Sequence, residues 1–271
     1  MPNAQCIRKC NQLIRQLESK PYFAAALPAL TTKIANLQRN FENTGVPSTV
    51  AYKQAIKTVL SHLHDVMRDG QPLVEAEITD RINRGLISNA DQARKSAAGN
   101  IFQQMVAYIL AKNVIENNIT KNVIVTTSTK NMIDTYAAIQ VGDDIQKPDS
   151  DVIIYSPDNG TPIMNLSCKT SCRERAGQTY KWKLLCDLVT CDCDHKGNNP
   201  NCPSTKYGLS YTPERNILIC FITTDFYDEL ANPQIAAMFN FFDYSYVAKE
   251  VSNNPNILTL ENIVDNINTE F

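Results

Sequence analysis

The feature that most constrains the fold of this chain is a change in the spacing of its apolar residues near Asn118. Before that point, apolar side chains recur every three or four residues, as they do on one face of an α-helix. After it, they form short runs rich in Val and Ile that are bounded by Asp, Asn, Gly and Pro, a pattern typical of β-strands. The order predicts a helical amino-terminal region followed by a mixed sheet with helices, which is an α/β or α+β fold.

Apolar stripes at helical spacing occupy the first part of the chain. They predict helices over residues 7–17, 56–67 and 102–110. Residues 45–48, with the sequence Gly-Val-Pro-Ser, are expected to link the second helix to the third. Asp69 and Gly70 are expected to end the third helix, and Pro72 is well placed to open the next one.

Four short apolar runs predict strands in the second part of the chain, over residues 123–125, 152–155, 163–168 and 216–223. Residues 156–160 read Ser-Pro-Asp-Asn-Gly, a strong turn signal, so the second and third of these strands should form a hairpin. A helix is expected at about residues 172–189, followed by a loop rich in cysteine. The apolar stripe over residues 260–267 predicts a terminal helix.

The overall charge does not indicate a partner, because the 271 residues carry a formal net charge of -2. Positive charge is concentrated locally, since residues 169–183 hold five basic side chains and one acidic one. Such a run is ordinarily a solvated helix face. It is also the kind of local clustering that nucleic-acid binding requires.

The sequence contains no segment suited to export or to membrane insertion. The first eight residues lack the apolar run of a signal peptide. The longest apolar stretch, residues 22–30, is interrupted by Pro28 and is too short to span a bilayer. We therefore expect a cytoplasmic protein with no membrane partner, whose nine cysteines are thiols or metal ligands rather than disulfides.

An aspartate and a lysine lie at the same end of the predicted hairpin. Asp151 directly precedes one strand and Lys169 ends the other, while Asp149 and Ser167 stand two residues away from them on the same faces. Carboxylate oxygens are ligands that Mg²⁺ prefers. A neighbouring lysine can orient or help to deprotonate an attacking water. The pattern indicates a metal-dependent hydrolytic site, and an ordinary surface hairpin with solvated side chains is the alternative.

Four residues after this lysine the chain reads Arg173-Glu174-Arg175, at the start of an expected helix. Each arginine can donate two hydrogen bonds to a guanine, and the glutamate can accept one from the amino group of a cytosine. A lysine suited to phosphate chemistry beside a reader of G·C pairs indicates an enzyme that cuts DNA.

In their order, three motifs resemble those of type II restriction endonucleases of the PD-(D/E)XK fold: Pro148-Asp149-Ser150-Asp151, Ser167-Cys168-Lys169 and Arg173-Glu174-Arg175. The resemblance covers residues 148–178 and is specific to the branch that cuts CCGG, CCNGG or CCWGG sites, the EcoRII, PspGI and NgoMIV type. That branch has a serine at the first acidic position of the lysine strand, as Ser167 does here. It also has an Arg-(Asp/Glu)-Arg reader that begins four residues after the lysine.

The resemblance implies a Mg²⁺-dependent enzyme that hydrolyses double-stranded DNA at a palindromic site containing CC and GG. Its metal-binding aspartate would be Asp151, with Asp149 as the fallback, and its catalytic lysine would be Lys169. The Arg-Glu-Arg triplet would read adjacent G·C pairs, and Gln178 would help to position it or contact the central base pair. A palindromic site implies a homodimer. Residues 1–90 would form a dimerisation region or a DNA clamp, and residues 91–271 the nuclease core.

The chain departs from this branch at the second metal-binding glutamate, which the branch has thirteen or fourteen residues after the lysine. Trp182 and Lys183 stand at those positions, and neither binds a cation. Two residues on the long helix before the sheet are the candidates for a replacement, the carboxylate of Glu116 and the amide of Gln104. A site with fewer protein ligands is the remaining alternative.

The cysteine-rich loop offers a second candidate metal site. Cys191, Cys193, His195 and Cys202 supply three thiols and an imidazole within twelve residues. Four such ligands can close a tetrahedral zinc site, and a closed site is structural rather than catalytic. A polar loop with incidental free thiols is the alternative.

Two further hypotheses stand beside the endonuclease. The missing glutamate motivates a DNA-binding protein on the same fold that has lost catalysis. A zinc-stabilised interaction protein, in which the Arg-Glu-Arg triplet is only the start of a surface helix, belongs to a different functional class and predicts no sequence-specific DNA binding.

Overall fold

The computed structural model describes residues 1–158, 160–191, 199–210, 215–250 and 256–271, and for residues 173–175 it describes the backbone alone. The α-helices of these ranges are α1 (Ala4–Glu18), α2 (Pro21–Asn43), α3 (Ser48–Thr58), α4 (Leu63–Asn83), α5 (Ala90–Ile115), α6 (Lys130–Tyr136), α7 (Arg173–Thr190), α8 (Pro203–Lys206), α9 (Pro233–Met238) and α10 (Ile263–Glu270). Short 3-10 turns are formed by Val59–His62, Glu229–Ala231, Phe239–Phe241 and Leu260–Asn262.

Strands follow the helical region, as the change of period predicts. They are β1 (Ile124–Thr126), β2 (Ile139–Val141), β3 (Asp144–Gln146), β4 (Val152–Tyr155), β5 (Ile163–Lys169), β6 (Leu209–Ser210), β7 (Ile217–Thr223), β8 (Tyr244–Val247) and β9 (Leu258–Thr259). The α/β fold class is confirmed: in the described residues a six-stranded mixed sheet is flanked by helices.

The main sheet has the strand order β1-β4-β5-β7-β8-β9. Its first three strands pair antiparallel, and β5, β7, β8 and β9 pair parallel. The predicted hairpin is confirmed, because β4 and β5 are antiparallel neighbours in a register that pairs Val152 with Leu166. The predicted helix after β5 and the predicted terminal helix are also present, as α7 and α10. A second sheet, β3-β2-β6, was not predicted from the sequence.

Helix α5 is the central element of the core. It begins after Asn89, whose side-chain oxygen accepts a hydrogen bond from the Gln92 amide at 2.9 Å, a favourable helix cap. Its buried apolar residues, including Phe102 and Met105, belong to one cluster that also contains Leu166 of β5 and Ile263 of α10. The helical region and the main sheet therefore share a continuous core, which fixes the position of α5 over the sheet.

The structure corrects the predicted helix boundaries around residues 56–83. The stripe over residues 56–67 is divided by the 3-10 turn Val59–His62, and α4 continues through Gly70 and Pro72, where the sequence predicted an end and a new start. Gly70 faces α2, where an added Cβ would lie 3.5 Å from the side chain of Ala29. Its role is close helix packing rather than termination, and burial of the α4 residues on both sides of it keeps the helix continuous.

No helix in the described ranges has both the length and the apolar character needed to cross a membrane.

Candidate active site

The paired ends of β4 and β5 bring three of the predicted residues together. The ammonium nitrogen of Lys169 lies 2.8 Å from Oδ2 of Asp151 and 2.9 Å from Oδ2 of Asp149. The ladder continues one residue beyond β4, because the Asp151 amide donates to the carbonyl of Leu166 at 3.1 Å. The hairpin register therefore places the two carboxylates opposite the lysine.

Asp151 occupies the inner position of the two carboxylates. Its side chain is 14% exposed, and Oδ2 also accepts a hydrogen bond from the backbone amide of Cys168 at 2.8 Å. Burial raises the pKa of Asp151 above its ordinary value, and the attraction and hydrogen bonds from Lys169 and Cys168 oppose this only in part. A desolvated carboxylate of this kind gains from a nearby cation.

Asp149 lies closer to solvent than Asp151, since its side chain is 37% exposed. Its backbone carbonyl accepts a hydrogen bond from the side-chain amide of Asn165 at 3.4 Å, which ties this segment to β5. The two aspartates thus present one inner and one outer carboxylate to the same ammonium group.

The Lys169 side chain is 10% exposed. Burial is the largest single effect on its pKa and lowers it, but the attraction and hydrogen bonds of Asp151 and Asp149 together raise it by more. The net pKa lies above the ordinary value for lysine, so the group is a charged hydrogen-bond donor at neutral pH.

Ser167 does not reach the surface of the site. It is buried, and its hydroxyl lies 2.9 Å from the hydroxyl of Thr179 on α7, an equally buried side chain. This bond joins the strand that carries the lysine to the helix that begins with the Arg-Glu-Arg triplet. Ser167 therefore connects β5 to α7 from within the core and is not among the residues that line the cleft.

A cleft of about 310 Å³ opens above the lysine. One wall is formed by Asp151, which directly precedes β4, and by the end of β5 and the segment after it, including Lys169 and Ser171. The other wall is the polar face of α5, which contributes Lys95, Ser96, Gly99, Asn100 and Gln103. Sequence reasoning missed this face, although its residues recur at helical spacing opposite the apolar stripe.

The structure does not bring Glu116 or Gln104 to this cleft. Gln104 lies one helical turn after Asn100, but it is buried and is not among the residues that line the cleft. Glu116 caps the carboxyl end of α5, thirteen residues beyond Gln103, which is about 20 Å along a helix. Among the α5 residues that line the cleft, Asn100 and Gln103 are the ones with side-chain amides, and they share it with Lys169 and Asp151.

The backbone of α7 begins at Arg173, where the Arg-Glu-Arg triplet was predicted to start a helix. The side chains of Arg173, Glu174 and Arg175 lie outside the described residues. Gln178 is exposed on the same helix. Neither Trp182 nor Lys183 approaches the cleft: Trp182 is buried, and the ammonium of Lys183 forms ion pairs with Asp187 and Asp243.

A buried carboxylate holds the start of α7. The amide of Cys172, the residue before the helix, donates to Oε2 of Glu229, which is largely buried in the loop after β7. That loop is itself fixed, because the buried Asp225 accepts from the Leu230 amide at 3.2 Å and pairs with Lys249 at 2.9 Å. The amino terminus of α7 is therefore tied to the loop that follows a central strand.

We expect Glu229→Ala to lower the free energy of unfolding by at least about 1.5–3 kcal/mol, because a buried amide loses a charged acceptor. Glu229→Gln keeps an acceptor oxygen and should recover part of this loss. Urea unfolding of the two variants measures the difference. Equal stability of wild type and Glu229→Ala would show that the carboxylate does not hold the helix.

The proposed zinc ligands are only partly described. Cys191 is exposed after α7, and Cys202 precedes α8, whereas Cys193 and His195 lie outside the described residues. Among the described residues, no group of three or more His, Cys, Asp or Glu side chains could hold a metal ion. The zinc site stays a prediction.

Comparison with models of known protein families gives a match. The model of the family described as BsaWI restriction endonuclease type 2 matches residues 128–267, just over half of the 271 residues. The matched region contains both carboxylates, the lysine and all of α7. No curated protein matches the chain in sequence.

Proposed function

The chain belongs to the BsaWI family of type 2 restriction endonucleases, which makes it a site-specific deoxyribonuclease, and from this premise we propose that Asp149, Asp151 and Lys169 are its nuclease centre. In the same proposal, the enzyme requires Mg²⁺ and cuts palindromic double-stranded DNA that contains CC and GG. The observation that supports it best is the contact of one ammonium group with two carboxylates at an open cleft.

The donor set suits Mg²⁺. This ion is usually held by one or two carboxylates and keeps several of its waters, so Asp151 and Asp149 are sufficient protein ligands. A third carboxylate is not required, and Asn100 and Gln103, whose side chains carry neutral oxygens, line the same cleft. When bound, Mg²⁺ supplies a Lewis acid that stabilises negative charge on the phosphate and the leaving oxygen.

Lys169 serves as a charged donor in this proposal. Its raised pKa favours a role in which the ammonium group orients the attacking water or donates to a phosphate oxygen. The two aspartates hold the ammonium in place, and the amide of Cys168 holds Asp151. The hairpin register and these hydrogen bonds together preorganise the site before DNA arrives.

Specificity is assigned to the start of α7. A helix of the size of α7 fits the major groove, where arginines contact guanine and a glutamate contacts cytosine. We assign this contact to Arg173, Glu174 and Arg175, with Gln178 on the same helix as a further DNA contact. A palindrome presents two identical half-sites, so we propose a homodimer, with residues 1–90 as a dimerisation region or DNA clamp.

Loss of a reader arginine should relax the choice of sequence. We expect Arg173→Ala and Arg175→Ala each to reduce discrimination between the cognate site and a site with one changed G·C pair by about 1–3 kcal/mol. Equilibrium binding to both duplexes, measured with Ca²⁺ in place of Mg²⁺, gives the difference. If a variant weakens binding equally on both duplexes, its arginine contacts phosphate and not a base.

Digestion of a plasmid of known sequence, followed by sequencing of the ends, tests the proposed function. Purified protein with Mg²⁺ should yield discrete fragments whose ends share a palindrome with CC and GG, and EDTA should abolish cutting. Fragments that share a different palindrome would overturn the assignment of the reader. Folded protein that cuts nothing with Mg²⁺ or Mn²⁺ would overturn the proposed centre.

A further inference from the structure

We propose that the polar face of α5 is a binding surface for the DNA backbone, which holds the strand being cut against Lys169. In this inference Lys95 is the cation that contacts a phosphate, and Gly99 is the point where the backbone approaches the helix most closely. The inference rests on the proposed function, because it assigns the second wall of the same cleft.

The spacing of the residues on α5 defines a continuous face. Lys95, Ser96, Gly99, Asn100 and Gln103 recur at intervals of three and four residues along one side of the helix and all border the cleft. The polar side chains bond mainly to each other: the Asn100 amide donates to the Ser96 hydroxyl at 3.1 Å, and the Gln103 amide reaches Asn100 at 3.5 Å. Each of these amide groups has a second hydrogen, and the Ser96 hydroxyl has its own, that can be donated to phosphate oxygens.

Lys95 differs from the neighbouring basic side chains in its ion pairing. Arg94 pairs with Glu75 and Asp91, and Lys169 across the cleft is paired with two aspartates. Lys95 is exposed and has no ion-pair partner in the part of the chain that the structure describes. An uncompensated cation facing a nuclease centre is suited to a phosphate, whose binding releases a counterion.

Gly99 lies in the interior of a 26-residue helix, where glycine is less favourable than alanine. An added Cβ at Gly99 would meet no atom within 4 Å. Packing within this chain therefore does not require glycine here, in contrast to Gly70, which faces the α2 side chain of Ala29. Open space beside the scissile phosphate is what a close approach of the sugar-phosphate backbone requires.

Two substitutions at Gly99 separate folding from substrate access. Gly99→Leu should keep or raise the melting temperature, because leucine favours the helix and its side chain enters open space. It should lower the single-turnover rate of cleavage at least tenfold, because the side chain occupies the path of the backbone. Gly99→Ala adds a single methyl group. It should be as stable as Gly99→Leu and should cleave DNA faster than that variant.

Lys95→Ala tests the phosphate contact by a measurement independent of catalysis. The dependence of the logarithm of the DNA binding constant on the logarithm of salt concentration should decrease in slope by about 0.9, the value for one phosphate contact in duplex DNA. Binding to cognate and non-cognate duplexes should weaken by the same factor. Lys112→Ala is the control, because Lys112 lies on the same helix but seventeen residues beyond Lys95, about 25 Å along the helix axis, and does not border the cleft.

The outcomes distinguish the inference from the proposed function. A wild-type protein that cuts DNA, with Gly99→Leu equally active and the salt slope of Lys95→Ala unchanged, overturns the inference alone. Should Gly99→Leu prove unstable, the salt slope of Lys95→Ala decides. A wild-type protein without Mg²⁺-dependent cleavage overturns the proposed function, while the salt slope still reports whether α5 contacts DNA.

Discussion

Lys169→Ala should lower the rate of DNA cleavage by about 10²–10⁴-fold and leave specific binding largely intact. This factor is the usual contribution to the rate of a positioned side chain that transfers a proton or stabilises charge in the transition state. Binding should be retained because the proposed reader begins four residues later, on a helix whose start is held separately by Glu229. Single-turnover cleavage and equilibrium binding of the same cognate duplex measure the two effects.

Lys183→Ala provides a matched control. Lys183 is 13% exposed and pairs with two carboxylates, Asp187 and Asp243, as Lys169 pairs with Asp149 and Asp151. Both variants remove a largely buried ammonium from between two acids, so they should lose comparable stability. Only Lys169→Ala should lose cleavage. A loss of DNA binding by Lys169→Ala, at retained folding, would show that the lysine has a structural role.

Asp151→Asn should abolish measurable cleavage, with a loss of about 10³-fold or more. Metal ions contribute several kcal/mol to the stabilisation of such transition states, and each 1.4 kcal/mol corresponds to a factor of ten. Asparagine keeps an oxygen that can accept from Lys169 and from the Cys168 amide, so the fold should persist. Mg²⁺ should raise the melting temperature of the wild type, and this increase should disappear in the variant.

Asp149→Asn decides between the two aspartates. Asp149 is the more exposed carboxylate, and it should contribute less to metal binding than the inner Asp151. We expect a smaller loss of cleavage and a residual thermal shift with Mg²⁺. The reverse order, with Asp149→Asn inactive and Asp151→Asn active, would make Asp149 the principal metal ligand.

The hairpin and the contact between Asp151 and Lys169 could be predicted because their determinants are local. The turn signal at residues 156–160 joins two strands that are adjacent in sequence, and strand alternation then sets which side chains meet. The start of α7 was predictable for the same reason, since it follows the lysine directly. The fold class followed from the change of apolar period near Asn118.

The second wall of the cleft could not be predicted in this way. Polar residues on a helix face normally indicate that this face is exposed to solvent. The packing of α5 over the sheet is what brings Asn100 and Gln103 to the same cleft as Lys169. The carboxylate that the sequence offered as a replacement for the second metal-binding glutamate was Glu116, which lies at the other end of the helix. The sheet β3-β2-β6 could not be predicted from local sequence patterns either. Its strands are only two or three residues long, and it pairs Gln140 with Ser210, which is distant in sequence.

Local signals were misleading where tertiary packing overrides them. Gly70 and Pro72 are ordinarily helix terminators, yet α4 passes through both. The absent side chain of Gly70 lets α2 approach, and the buried residues on either side stabilise the helix more than the missing amide of Pro72 weakens it.

The measurement that tests the central claim most directly is cleavage of the protein by a bound metal ion. Fe²⁺ with ascorbate and peroxide, in place of Mg²⁺, generates radicals that cut the backbone next to the ion, and mass spectrometry locates the cuts. The account predicts cuts near residues 149–151 and 167–169 that excess Mg²⁺ suppresses and that Asp151→Asn lacks. Cuts near Glu116, with none at the ends of β4 and β5, would contradict it.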